Sequence, residues 1–490
     1  MRLTRTIAFW LLAAALLACH VIVIQHSLGA RLWEDEAFNL TVPRNLLAGL
    51  GYASDGALSG STITLFDPRI STGPTVLLPV AAVLAFGADP VIGARMVPLA
   101  FWVALIAGLA VLGRRTAGLW AALVAAAVPL AFNGLGSVSP IQGPTDLLGE
   151  IPAAALLVWA LVVLPRRAWL AGLLVGLAVQ AKLIALLALP GFAVALWVLA
   201  PGRGWQRIVQ TLKRSWLPLV LVGTPTLLVE IAALVSMGPA AFVDHLRGLA
   251  WFVRGGGQHV APTTVLQKIE TLAGAWFVPP WVAIATAVLC LLLIAAGLLS
   301  ARGGVEQRSD AEKQPLMLIA GSVAGALAFV GWWSTAAHTP LWVRHPAAGV
   351  LAFFPVLVIG AVWAARALLE RVAVRGAVRG ASAGVLVALL SASLAWSVTG
   401  HVQQTTLPRS ETLATQRVDV GPIRDWVQLT GTEWLAANPW GAAIAPIVLS
   451  GAHVGLFDAP AMAGTPQLTG KSCDTQTLVE GSRYRVCAAP

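Results

Sequence analysis

At 490 residues, 58% of them hydrophobic and 11% charged, with a mean hydropathy of +0.79, the chain is too apolar for a soluble domain, where apolar residues make up roughly 45–50%. It reads as an all-α polytopic membrane protein. The formal charge of +10, from 32 Lys+Arg against 22 Asp+Glu, would point to nucleic acid in a soluble chain; here the basic residues fall in short clusters between apolar runs, as in cytoplasmic loops of membrane proteins, and no nucleic-acid partner is expected.

The first run, Ile7–Gln25, follows Arg2 and Arg5. It reads as a span, not a cleaved leader, because it is long and its exit, "SLGARLWEDE", is a weak cleavage site. If the basic clusters Arg2/Arg5, Arg114/Arg115, Arg166/Arg167, Arg203–Arg214, Arg302–Lys313 and Arg366–Arg379 are all cytoplasmic, an even number of crossings separates each from the next. The runs that satisfy this are 7–26 with 91–112, 117–132 with 150–164, 169–182 with 183–200, 217–236 with 280–300, and 316–334 with 347–365, closed by 381–399. The result is about eleven transmembrane helices with the N-terminus inside. "GPTVLLPVAAVLAFG", Gly73–Gly87, is short and carries Pro79, so it is expected as a juxtamembrane helix within the external loop 27–90. The chain divides into a transmembrane unit, 1–399, and an external C-terminal domain, 400–490, in a bacterial-type inner membrane.

Chemistry-bearing residues gather on the external side. "WEDEAFNL" places Glu34, Asp35 and Glu36 where the first span emerges. An ionised carboxylate there suits a general base acting on a hydroxyl; acids opening a helix also favour its dipole. In "SPIQGPTDLLGEIPAAALL", Asp146 and Glu150 are spaced to share a helical face, with Asp146 equally suited to an N-cap. Glu150, at the edge of an apolar run, is costly and therefore a functional candidate. Lys182 is the one charge between Arg167 and Arg203, suited to gripping a phosphate or to snorkelling. The loop 237–279 carries Gly255–Gly257, flanked by Arg247, Arg254 and His259, as a hinge over substrate. In "HTPLWVRHPAAGVLAFFP", His338, Arg344 and His345 abut the next span, and the Arg fork suits phosphate or an anionic headgroup. There is no GxxxxGK[ST] or HExxH motif and no complete ligand set, so neither a metal nor another cofactor is expected.

The succession of "WEDEAFNL", "FGADPVIGARMVPLAFWVALIAGLAVLGRRTAG", "GLLVGLAVQAK" and "RHPAAGVLAFFP" resembles the C-type superfamily of membrane glycosyltransferases, in particular the aminoarabinose transferases of lipid A and the protein O-mannosyltransferases, over about residues 1–365. The resemblance implies transfer of a sugar from a polyprenyl-phosphate donor to an envelope acceptor, whether lipid, glycan or protein. It implies Asp35 as catalytic base with Glu36 beside it, Asp146 as the second-loop acid with Glu150 near it, Lys182 on the donor phosphate, and Arg344 as the basic residue before the late span. "ISTGPTVLLP" departs from the aminoarabinose-transferase pattern: Ser71, Thr72 and Gly73 stand where a lysine is expected, with Arg69 as a partial substitute. Release of an anionic phosphate needs positive charge more than a general acid, so one base with Lys and Arg suffices for a single inverting displacement. A transporter or flippase of lipid-linked saccharides, or an inactive polyprenyl-phosphate-binding relative, would share the many spans. The tail, with "IRDWVQLTGTEWLAANP" and the strand-like "AAIAPIVLS" and "SRYRVCAA", is expected to be a small α/β or β-rich domain, and Cys473 and Cys487 suit a disulfide in an oxidising compartment.

Overall fold

The computed structural model describes residues 2–56, 62–132, 141, 143–254, 261–300, 310–372, 377–438, 441–457 and 459–489. Every run assigned to a crossing is helical. α1 (Arg2–Leu28) leads to two helices that lie at its exit, α2 (Glu34–Leu47) and α3 (Pro74–Ala85), with an antiparallel strand pair between them, β1 (Ala53–Ser54) and β2 (Thr64–Leu65). There follow α4 (Pro90–Ala117), α5 (Leu119–Ala131), α6 (Glu150–Val163), α7 (Ala168–Ala181), a 3-10 turn over Leu183–Ala188, α8 (Leu189–Leu199) and α9 (Gly204–Arg254). A short α10 (Val265–Gly274) precedes α11 (Pro280–Ser300), α12 (Asp310–Thr335), α13 (Arg344–Val372) and α14 (Ala377–Thr405). Among the described residues seven helices, α1, α4, α9 and α11 to α14, are long and apolar enough to cross a bilayer. α3 has 12 residues, roughly 18 Å at 1.5 Å per residue, too short for ~30 Å of hydrocarbon.

The bundle is organised around α13. In its apolar stretch 72% of residues are buried, against 11% in α1 and 17% in α9, so α13 is the central helix and the other two present apolar side chains outward. Between α12 and α13, Phe329, Trp333 and Phe353 are fully buried. In lipid such packing replaces the hydrophobic effect as the force between helices. α9 breaks at Gly238, whose φ of 78° is open to glycine, with Pro239 next, so the expected span 217–236 ends at a kink.

The C-terminal domain begins after α14, which continues six residues past the expected end at 399, and is α/β. α15 (Leu413–Thr430) and α16 (Ile444–Ser450) pack on a five-stranded sheet of order β4-β3-β5-β7-β6, made of β3 (Trp434–Ala437), β4 (His453–Leu456), β5 (Gln467–Thr469), β6 (Thr477–Glu480) and β7 (Arg485–Cys487). The β3–β4 and β3–β5 pairs are parallel and the β7 pairs antiparallel. "AAIAPIVLS" was expected to be a strand; it forms α16, because its apolar residues dock on α15 and α2 as a helical face. Cys473 and Cys487 are disulfide-bonded. The domain is clamped to the exit of α1: Gln416, fully buried, donates to the Leu32 carbonyl at 2.9 Å and accepts from the Leu32 amide at 2.8 Å. Arg409 donates to the His26 carbonyl at 2.7 Å.

Two glycines set the approach of the second and first loops to α7. A Cβ on Gly149 would lie 2.0 Å from the Ala181 carbonyl oxygen, and one on Gly73 would lie 2.1 Å from that of Gln180. Gly149→Ala or Gly73→Ala must therefore push backbone from backbone, and each is expected to destabilise by about 1–3 kcal/mol. Thermal unfolding of the detergent-solubilised protein measures it; unchanged melting in both variants would show that the loops do not approach α7 this closely.

Candidate active site

Consecutive residues of a helix point about 100° apart, so α2, which starts at Glu34 after an extended Trp33, sends its three acids in three directions. Glu34 turns outward to Arg31, 3.5 Å away. Asp35, its side chain 19% exposed, accepts from Arg344 Nη1. Glu36 turns inward and is 1% exposed, where Arg95 grips it with both faces of its fork: Nε to Oε1 at 3.1 Å and Nη2 to Oε2 at 2.5 Å. The remaining Arg95 donors go to the carbonyls of Leu28, Ala30 and Arg31. Glu36 Oε1 also accepts from the Leu147 amide at 3.1 Å. Glu36 is thus fully engaged in holding α1, α2, α4 and the Asp146 loop together.

Arg344, at the start of α13, lies against two indoles, 4.6 Å from the Trp342 ring centre and 5.8 Å from that of Trp33. Such contacts are worth ~0.5–2 kcal/mol and hold the guanidinium flat without consuming its donors. His345 follows, edge-on to Trp342, in electrostatic range of Arg344, Lys182 and Lys268. Beside Arg344, Trp33 Nε1 and His345 Nδ1 are buried with no hydrogen-bond partner among the described residues, as are both carboxylate oxygens of Glu150 nearby. Buried orphans are rare in native proteins and mark places where a ligand or water completes the bonding.

Lys182 terminates α7 in an extended conformation. Its Nζ donates to Ser71 Oγ at 2.8 Å and lies 2.9 Å from Glu150 Oε1, a contact too bent for a hydrogen bond. Glu150 is 1% exposed, so the pair is a buried carboxylate met by a cation that keeps donor capacity. Lys268 differs. It is fully buried and its three donors go to the Trp333 and Ala336 carbonyls, each at 2.6 Å, and to Thr339 Oγ1. Burial pushes its ammonium below the usual lysine range, and it is spent on closing the C-terminal end of α12. No group of three or more His, Cys, Asp or Glu that would hold a metal occurs among the described residues.

The architecture matches known structures. ArnT from Cupriavidus metallidurans bound to undecaprenyl phosphate superposes with a TM-score of 0.59 over 98% of this chain and 97% of its own, at 13% sequence identity. The apo form of that protein gives 0.57 over 99% and 98%, also at 13%. The chain therefore has the fold seen in ArnT. An Archaeoglobus fulgidus oligosaccharyltransferase aligns over 91% of this chain and 62% of its own at 13% identity, with a TM-score of 0.47. No protein-family model matches the sequence, and no curated protein is significantly similar to it.

Within this fold the structure brings Asp35, Glu150, Lys182, Arg344 and His345 to one mouth of the bundle, where α2, the end of α7 and the start of α13 meet. Asp146 is 1% exposed and sits deeper, within the field of Arg95 and Arg409. Asp146 and Glu150 do not share a helical face: α6 begins only at Glu150, with Gly149 as its N-cap, because the preceding residues turn to bring the Leu147 amide to Glu36. Burial and repulsion from Arg95 push the Arg409 guanidinium below its usual range, partly offset by Asp146. Arg69 lies over Trp251 in the distal part of α9, and Ser71, not Arg69, meets Lys182. His338 is exposed in the turn after α12. The Arg254 side chain, Gly255–Gly257 and His259 lie outside the described residues. The sequence reading missed Arg95, Lys268, Ser71, Trp33 and Trp342. Arg95 was detectable as a lone charge in the run "PVIGARMVPLAFW", since an intramembrane arginine requires a partner.

Removing one partner of a buried pair costs about 3–5 kcal/mol. Arg95→Met is expected to lower the thermal stability of the solubilised protein by that order, and Asp35→Asn by less than about 1 kcal/mol. Equal losses would mean that Asp35 too is structural.

Proposed function

We propose that this protein is a glycosyltransferase that moves a sugar from a polyprenyl phosphate to a hydroxyl-bearing envelope acceptor at the mouth described above. The observation that carries the proposal is Arg344 on Asp35 between the Trp33 and Trp342 indoles, beside Trp33 Nε1 and His345 Nδ1, which have no hydrogen-bond partner among the described residues, with Lys182 in electrostatic range of His345. The likeness to a fold that holds undecaprenyl phosphate in ArnT supports the choice of donor.

In this reading Lys182 and Arg344 take the donor phosphate. Arg344 is pre-aligned by its two indoles, so little conformational entropy is lost when it turns from Asp35 to the phosphate. Asp35 then has its lone pair available for the acceptor. It removes the hydroxyl proton as the acceptor oxygen bonds to the anomeric carbon; the bond from that carbon to the phosphate oxygen breaks, and its electron pair leaves with the phosphate. One displacement inverts the anomeric centre. Two cations facing the departing charge supply the electrostatic stabilisation without a general acid. Glu36 and Asp146, buried behind the mouth, are positioning residues. By the positive-inside rule the mouth and the C-terminal domain lie outside a bacterial-type inner membrane, with Arg114/Arg115, Arg166/Arg167 and Arg203 to Arg214 in the cytoplasm.

Asp35→Asn is expected to reduce transfer by about 10²–10⁴-fold while leaving undecaprenyl phosphate binding intact or tighter, because Arg344 loses its competing partner. Arg344→Met and Lys182→Met are expected to lose donor binding. Glycolipid mass spectrometry of membranes with each variant, alongside a binding titration with undecaprenyl phosphate, reads both effects. Full transfer by Asp35→Asn would remove Asp35 as base. An unchanged glycan profile with carrier accumulating on one leaflet would favour a flippase instead.

A further inference from the structure

A cavity of about 390 Å³ lies away from the catalytic mouth, between the C-terminal half of α2, the start of α4, and helices α15 and α16. Arg44 lies nine residues beyond Asp35, roughly 14 Å along the helix axis, so the cavity is separate from the site of transfer. Its walls are apolar, with Leu40, Val91 and Val420 among them, and its polar lining brings three guanidinium groups, Arg44, Arg417 and Arg424, against the one carboxylate of Asp89.

The charges do not balance. Arg417 spans Asp89 with both oxygens, at 2.6 and 2.7 Å; the amides of Ile92 and Val91 bond the same carboxylate and, with Arg417, hold it below the usual range against the opposing effect of burial. Asp89 is therefore fully committed. Among the described residues Arg424 makes only two long contacts, 3.4 and 3.3 Å, with its chain neighbour Asp425, and its side chain is 54% exposed. Arg44 donates to two carbonyls, Val448 at 2.9 Å and Gly451 at 2.8 Å, which orient it without neutralising it. Burial pushes its guanidinium below the arginine range, only partly offset by Asp55.

The position supplies the occupant. Pro90, on the cavity lining, opens the crossing helix α4, and Phe86, just before it, is 92% exposed, apolar surface that is costly in water and favourable against lipid. The cavity therefore opens at headgroup level. We propose that it binds the phosphodiester headgroup of an anionic phospholipid, with glycerol and the first acyl carbons against the apolar wall. Such a lipid joins α2 to the C-terminal domain from the membrane side.

The test uses the full-length protein in detergent, charged with phosphatidylglycerol or zwitterionic phosphatidylethanolamine and examined by native mass spectrometry. One phosphatidylglycerol is expected to survive detergent exchange in the wild type, with phosphatidylethanolamine retained about tenfold less, and retention is expected to weaken as salt rises. Arg417→Ala with Arg424→Ala is expected to lower phosphatidylglycerol retention about tenfold or more, the loss of one or two charge-assisted bonds. Because that double change also removes the clamp on Asp89, Gly421→Leu is the second variant. Gly421 lines the cavity and, beyond its chain neighbours, has no atom within 4 Å of an added Cβ, so leucine fills the space at only the modest cost of a side chain before the helical Pro422. It is expected to lose the lipid while still melting in one cooperative transition, with the Asp89 clamp intact. Equal retention by Gly421→Leu and the wild type, or equal retention of the two lipids, would overturn the site. Displacement of the lipid by millimolar inorganic phosphate would show a free-anion pocket and overturn the lipid assignment.

Discussion

The buried pair of Glu36 and Arg95 is the contact on which the rest of this structure depends. Arg95 sits in the first turns of a membrane-crossing helix, where a lone guanidinium is expensive, and its partner comes from a helix that does not cross. The cost of burying both charges is offset only because every donor of Arg95 is used: two on the carboxylate, the others on carbonyls at the exit of α1. The pair therefore fixes where α1 ends, how α2 leaves it and, through the Leu147 amide, where the second loop turns.

From that anchor the placement of the reactive groups follows. With Glu36 locked inward, the helical rotation leaves Asp35 facing the start of α13, where Arg344 waits between two indoles. The close approach of Gly149 and Gly73 to the end of α7 brings Glu150 and Ser71 to Lys182. Cations at this mouth fall into two kinds. Lys268 has spent its donors on two carbonyls and the Thr339 hydroxyl and contributes only potential, whereas Arg344 faces the one carboxylate of Asp35, and Lys182 faces that of Glu150 and donates to Ser71.

The C-terminal domain is more than an appendage. Gln416 and Arg409 tie it to the exit of α1, Arg417 ties it to the start of α4, and Asp55 of the first loop accepts from the Val454 amide at 2.9 Å and pairs with His453 at 3.0 Å. All these contacts are polar and reach the exit of α1, the start of α4 and the loop after α2, so the domain braces the segment that carries Asp35. The basic cavity lies inside this brace, beside the start of α4.

The sequence by itself determined the helical bundle, because apolar runs long enough for lipid have only helical solutions there, and it determined that α3 is a short surface helix, from its length and Pro79. It also marked the cluster Glu34–Glu36, Lys182 and Arg344, since charge is conspicuous in so apolar a chain, while the choice of Asp35 among the acids came from the family resemblance. What it did not decide was which of three adjacent acids faces which cation. That depends on the rotation of α2 about its axis, and the rotation is set by Arg95, sixty residues away in sequence. Likewise the i, i+4 spacing of Asp146 and Glu150 is a helical signal, but a tertiary hydrogen bond to Glu36 holds the first of them in a turn. "AAIAPIVLS" reads as a strand by composition and folds as a helix because its neighbours, α15 and α2, present a groove for a helical face. Local pattern fixes the element where one solvent, lipid or water, surrounds it; where partners from distant segments converge, only their packing selects the outcome.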